Sequence, residues 1–342
     1  MTSGLDENPR EPAPVARHAS HVDSRFDPAR TLCRQALIQS PELHYLGHYT
    51  DGAYDFSYDR LGASELPDPI DYERIGVQIT NAVRSLDRTL QEARTGALIR
   101  TVVHGSQGLV ICDSARPNEH VVGFSHAPTA LPTEGVALAL LRGARNLDEA
   151  IGRLVTDLRE QVSLGSQNPG GWISAKPGDV ELPTVDTPAI QPCIEGTAEP
   201  EVASLFLNWV DPADLQLVAY CRKGQVEFSV DQFDHPQLGP YFQEISVVER
   251  RMFYQSLCRQ FLIIARKLGR MTVSATAGKI ERIVLDVEQG AIYYYRIRPG
   301  EYLVGVTIVQ RQVAEADCKI AKIAVACRDN ALTALADPRA NS

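Results

Sequence analysis

The chain's second half alternates between two hydrophobic periods. Leu215–Tyr220 and Gln225–Val230 are short apolar and β-branched runs around Arg222-Lys223-Gly224, which predicts a hairpin. Ser246 followed by Glu249 has the form of a helix-capping box. Phe253, Leu257, Phe261, Ile264 and Leu268 then recur at helical spacing, with a stop signal at Gly269. Ile280–Val287, Ala291–Ile297 and Tyr302–Val309 are divided by Glu288-Gln289-Gly290 and Arg298-Pro299-Gly300, the pattern of a three-stranded meander. Val313, Ala316, Ile320, Ile323, Ala324 and Cys327 form one stripe on a closing helix. The order is β-β-α-β-β-β-α. Tight turns force such strands into an antiparallel sheet, and each helix must bury its stripe against it. The expected fold class is α+β, with a five-stranded antiparallel sheet in this half.

The first half is less regular. Leu43–Tyr49 and Ala53–Tyr58 flank Thr50-Asp51-Gly52 and read as a hairpin of edge-like strands. Ile75, Ile79, Ala82, Val83, Leu86, Leu90 and Ala93 predict a long amphipathic helix ending at Thr95-Gly96. Leu98–Val103 and Leu109–Cys112 read as strands, and His120–Phe124 is a candidate third. Residues 133–164 read as helical in two pieces, with Asn146 and Glu149 as a capping box. Proline- and charge-rich residues 1–28 read as a disordered tail, and the Pro/Gly-rich stretch 165–200 as a linker. The division is therefore an α+β accessory domain over 29–164, the clearer module over 201–330 and a tail over 331–342. The first half echoes the opening of the second, yet no meander is expected between Leu164 and the linker. Whether the chain holds one copy or two stays open at this level.

Composition narrows the function. A net charge of -9 argues against nucleic acid as a partner, because phosphate binding needs a concentrated positive field. Apolar runs such as Leu215–Tyr220 and Phe261–Ala265 are far shorter than a membrane span, and the first thirty residues lack the apolar core of a secretory signal. Seven cysteines without CxxC spacing read as reduced, buried thiols, so the expected location is cytoplasmic.

Catalytic motifs are sparse. No phosphate loop and no G-x-G-x-x-G occurs, and Gly105-Ser106-Gln107-Gly108 lacks the spacing of a nucleophile elbow. His44 and His48 stand four apart, but in strand-like text that separates their rings by more than ten ångströms or so, too far to share a metal. His104, Cys112, Asp113, His120 and His126 cluster in sequence and define the one region where a Cys-His-Asp arrangement could assemble. The expectation is no enzyme and no cofactor. An enzyme in the N-terminal domain and a small-molecule sensor are the alternatives.

Residues from about Leu205 to Asn330 resemble the roadblock/dynein light chain family. The resemblance is carried by Ala265-Arg266-Lys267-Leu268-Gly269, Lys279-Ile280-Glu281-Arg282-Ile283-Val284-Leu285-Asp286 with its following Gly turn, Tyr302-Leu303-Val304-Gly305-Val306 and the closing helix. Such proteins open with a short helix, for which Val202–Trp209 is available. The resemblance implies a homodimer or heterodimer in which sheets and central helices pair across a two-fold axis, and a GTPase or motor component as partner; the expectation adopted is a homodimer with a small Ras-like GTPase or its assembly. On this basis the dimer or partner contacts are assigned to Arg250, Arg251, Tyr254, Cys258, Arg259, Leu262, Arg266 and Tyr294.

Overall fold

A computed structural model describes residues 13–61, 69–106, 108–126, 150–158, 191–276 and 278–329. The expected capping box at Asn146 lies outside these residues. The first half runs β1 (Val15–His18), α1 (Asp27–Gln39), β2 (Tyr45–Thr50), β3 (Ala53–Asp59), α2 (Pro69–Leu90), β4 (Leu98–Gly105), β5 (Gly108–Arg116), β6 (Glu119–His126) and a helical segment, α3, over 150–158. The second runs β7 (Cys193–Gly196), α4 (Pro200–Trp209), β8 (Leu217–Arg222), β9 (Gln225–Asp231), α5 (Val247–Thr276), β10 (Ile280–Val287), β11 (Gly290–Arg298), β12 (Glu301–Thr307) and α6 (Val313–Asp329). The two halves share one order, β-α-β-β-α-β-β-β-α.

The protein is α+β, but its sheet is not a separate five-stranded one. Twelve strands among the described residues form a single antiparallel sheet in the order β1-β3-β2-β6-β5-β4-β10-β11-β12-β8-β9-β7. Read outward from the centre, both halves place their strands identically. An approximate two-fold axis therefore passes between β4 and β10, which pair antiparallel with Val102 opposite Val284. A three-stranded meander of the first half is present at 98–126, ahead of residues 133–164 instead of after Leu164, because the helix-hairpin-helix from Asp71 begins inside the repeated unit and not at its opening.

Helices cover both faces. Tyr72, Ile79 and Val83 of α2 and Leu257, Phe261 and Leu268 of α5 share one core with the inward side chains of β4, β10 and their neighbours. Side chains of α1, α3, α4 and α6, among them Leu37, Ile151, Phe206 and Ile320, form the core on the opposite face. The β2–β3 hairpin is not at an edge: β2 lies between β3 and β6, and β1 covers β3. Both outermost strands lie in text read as tail or linker. They are four residues long and mostly exposed, and a strand that hydrogen-bonds on one side only needs no apolar alternation.

Helix α5 begins where expected. Ser246 and Glu249 exchange the capping-box bonds, Glu249 N–H to Ser246 Oγ at 3.1 Å and Ser246 N–H to Glu249 Oε2 at 3.1 Å. It runs through the expected stop at Gly269 to Thr276. A Cβ at Gly269 would stand 3.2 Å from Ile280 Cγ1, so this glycine permits close packing of helix on strand instead of ending the helix.

Candidate partner-recognition surface

The eight residues assigned to partner contact fall into three groups. Arg250, Tyr254, Cys258 and Tyr294 are buried within the chain and are corrected from surface to core. Arg250 donates from Nε to Ala93 O at 3.0 Å and from a terminal nitrogen to Arg94 O at 3.3 Å, with its guanidinium over the Phe242 ring, so it joins the two halves. Tyr294 stacks on Phe261 with ring centroids 5.9 Å apart. Arg251 is held by Asp231 at 2.8 Å and by Asp234, which raises its already high pKa chiefly through the Asp231 hydrogen bonds. Arg259 and Arg266 are exposed, and Leu262 is partly so. The helical stripe did not reveal which side of α5 meets α2, because that contact comes from a distant part of the chain.

What remains outward on α5 is a ridge. Val248, Met252, Ile263 and Val273 are 60%, 67%, 68% and 53% exposed. Arg259, Arg266, Lys267 and Arg270 stand among them, also exposed. The spacing Val248, Met252, Arg259, Ile263, Arg266, Arg270, Val273 advances by three, four or seven, so these side chains form one stripe of alternating apolar and basic character. At about 1.5 Å per residue, the stripe from Val248 to Val273 extends over roughly 38 Å of the helix. Near its first turns lies an open groove of about 670 Å³ lined by Glu92, Arg94, Glu244, Glu249, Met252 and Phe253.

A dimer through the C-terminal half cannot use the inner edge of its sheet, at β10. The side of β10 that would pair with a second copy is occupied by β4, and α2 packs on α5. In this chain the sheet edge at β10 and the flank of α5 are paired with the first half.

The proposed Cys-His-Asp chemistry does not assemble. Cys112 lies in the core beneath α2 and α5, and burial holds its thiol pKa well above normal, with Asp113 adding to the effect. Asp113 and His104 project from the opposite face, where Asp113 meets Arg100 at 3.4 Å. Burial first, and the charge of Arg282 second, lower His104 to about 3, so it is neutral. His126 meets the Tyr72 hydroxyl and His44, and burial lowers it to about 4. His44 and His48 face different neighbours. Among the described residues no three His, Cys, Asp or Glu side chains converge as metal ligands, and no helix is long and apolar enough to cross a membrane.

One buried ionic group went unseen in the sequence. His48 Nδ1 lies 2.8 Å from Asp55 Oδ2 and Nε2 lies 3.0 Å from Glu119 Oε1; Thr50 and His21 also reach Asp55. Burial opposes charge on His48, but hydrogen bonds to the two carboxylates outweigh it and raise the pKa, while Asp55 and Glu119 are lowered against burial by their bonds to His48. A raised His pKa gives stability that is complete below the unfolded value of about 6.5 and is lost as pH rises through the folded value. Accordingly His48→Gln should cost about 2–4 kcal/mol near pH 5.5 and progressively less toward pH 9. Urea unfolding of both proteins across that range tests it, and a cost that grows with pH would refute a charged His48.

The chain matches no known protein-family model and no curated protein.

Proposed function

We propose that this protein is a non-enzymatic recognition platform whose partner docks on the outer ridge of α5, and that the partner is a small Ras-like GTPase or an assembly containing one. The observation that carries the reading is the alternation of exposed Val248, Met252, Ile263 and Val273 with Arg259, Arg266, Lys267 and Arg270. In a chain of net charge -9 this local excess of basic groups favours an acidic surface, and the apolar side chains supply area to bury. The GTPase as partner rests on the resemblance of residues 205–330 to roadblock-type proteins. Burial of Cys112 and its separation from Asp113 favour a non-catalytic role for the first half.

Titration with purified Ras-like GTPases, loaded with GDP or a non-hydrolysable GTP analogue, tests the reading. Arg259→Glu with Arg266→Glu should weaken binding at least tenfold, about 1.4 kcal/mol, and reduce its salt dependence. Both side chains are exposed, so the melting temperature should hold within a few degrees. Binding unaffected by the double variant would remove the ridge from the proposal. No binding by the wild-type chain would remove the GTPase.

A further inference from the structure

The two halves serve as controls for one another. The β2–β3 turn has Asp51 and Gly52 at φ 54° and 80°, and the β8–β9 turn has Lys223 and Gly224 at 51° and 82°. Each hairpin turn is tied to the last meander turn of its own half, Asp51 N–H to Asn118 O at 2.8 Å and Lys223 N–H to Gly300 O at 2.7 Å. The sequence repeats as well: Arg116-Pro117-Asn118-Glu119 in one half and Arg298-Pro299-Gly300-Glu301 in the other. The next residue is His120 in the first and Tyr302 in the second. Register places them equivalently, His120 opposite Tyr49 and Tyr302 opposite Cys221.

In the second half that position is filled. Tyr302 is fully buried, donates its hydroxyl to Cys258 O at 2.8 Å and lies against Tyr294. In the first half the smaller His120 stands there, and a cavity of about 420 Å³ opens between α2, the start of β4 and the β5–β6 turn. Its lining is cationic. Arg84 gives a hydrogen bond to Asp51 O and Arg88 one to Arg84 O; among the described residues no carboxylate is shown within ion-pair distance of either. Arg116 bonds Glu119 and Leu158 O, while its Nε is buried without a partner. The one lining acid, Asp87, already accepts from Leu98 N–H at 2.7 Å and from Gln91 at 3.1 Å. His120 is 4% exposed, and its Nδ1 makes no hydrogen bond of acceptable geometry. Val83, Leu98 and Pro117 supply apolar wall.

We propose that this cavity binds a small organic molecule through an oxyanion, a phosphate monoester or a carboxylate, held by Arg84 and Arg88 with hydrogen bonds from Arg116 Nε and His120. A buried donor without a partner costs about 1–3 kcal/mol, so Arg116 Nε, beside the unpartnered ring nitrogen of His120, is accounted for by a ligand that accepts from it at this cationic cavity. The volume is that of a small-molecule site and exceeds what a lone ion needs. Burial first, then the charge of Arg84, lowers His120 to about 4, so the ring is neutral near pH 7 and adds a hydrogen bond without adding charge. The ligand site would make the first half responsive to a metabolite, independently of what docks on α5.

Calorimetric titration of the full chain with inorganic phosphate, adenosine monophosphate and citrate, against sodium chloride at matched ionic strength, tests the proposal. At least one oxyanion probe should bind with Kd of about 1 mM or tighter. The outward Arg84→Gln, Arg88→Gln pair should weaken it at least tenfold. His120→Tyr installs the residue of the second half, and should close the cavity and abolish binding. No binding above the chloride control by any probe overturns the proposal, as does wild-type affinity in the arginine double variant, which holds even if His120→Tyr fails to fold.

Discussion

Asp317→Ala should lower the unfolding free energy by about 3–5 kcal/mol, because it strands a buried guanidinium. Arg282 projects from β10 into the core beneath α6. Its Nε donates to Tyr295 Oη at 3.0 Å and to Asp317 Oδ1 at 3.2 Å, and a terminal nitrogen donates to Asp317 Oδ2. Tyr295 also donates to Asp317 Oδ1 at 2.6 Å. Burial alone would lower the Arg282 pKa, but the charge of Asp317 and the Tyr295 and Asp317 bonds raise it, so the cation persists at any working pH. Without Asp317 no carboxylate compensates it, and the neighbouring His104 is a neutral ring opposite Arg282 in the β4–β10 register. Asp317→Asn keeps part of the hydrogen bonding and should cost less. Arg282→Met with Asp317→Leu removes both charges and should recover much of the loss, since an apolar pair avoids the desolvation penalty. Denaturant midpoints of the four proteins test the argument. A double variant as unstable as Asp317→Ala would show that shape, not charge, governs the site.

Local signals carried much of the fold. The Ser246 and Glu249 side chains, the Asp51-Gly52 and Lys223-Gly224 turns and the Tyr302–Val306 run each specify their element through nearest neighbours. Pairings between halves were not legible. Nothing near Ile280–Val287 says whether its free side meets a second chain or β4 of its own, because the β4–β10 pair joins segments nearly two hundred residues apart. The same gap explains the misplaced contact residues. Arg250 looks like a surface arginine until the Ala93 and Arg94 carbonyls of the other half are brought to it. The His48 group was hidden likewise, since Asp55 and Glu119 reach it from two different strands. For the cavity a signal did exist: Arg-Pro-x-Glu occurs at 116–119 and 298–301, and aligning those turns sets His120 against Tyr302.

Residues 191–342 expressed alone should form a dimer through β10, a contact that β4 blocks in the full chain. Removing the first half strips β4 from β10 and α2 from α5, leaving an eight-residue apolar strand with an open edge beside a bared helix flank. The complementarity for self-pairing is already in β10. In the intact chain Arg100 of β4 sits opposite Asp286, and His104 sits opposite Arg282. Two copies of β10 paired antiparallel about Val284 would set Arg282 of each against Asp286 of the other, so the polar pairs at the centre of the sheet are replaced by two of opposite charge. An isologous contact of this kind closes on itself and stops at two. Light scattering over a concentration series reads the result. A dimer dissociated by Asp286→Arg, which sets two arginines opposite each other while the half keeps its folded circular dichroism, would locate the contact at β10, whereas a monomeric half would mean that the edge is held closed without its partner strand and that the two-fold reading of the sheet carries no binding energy of its own.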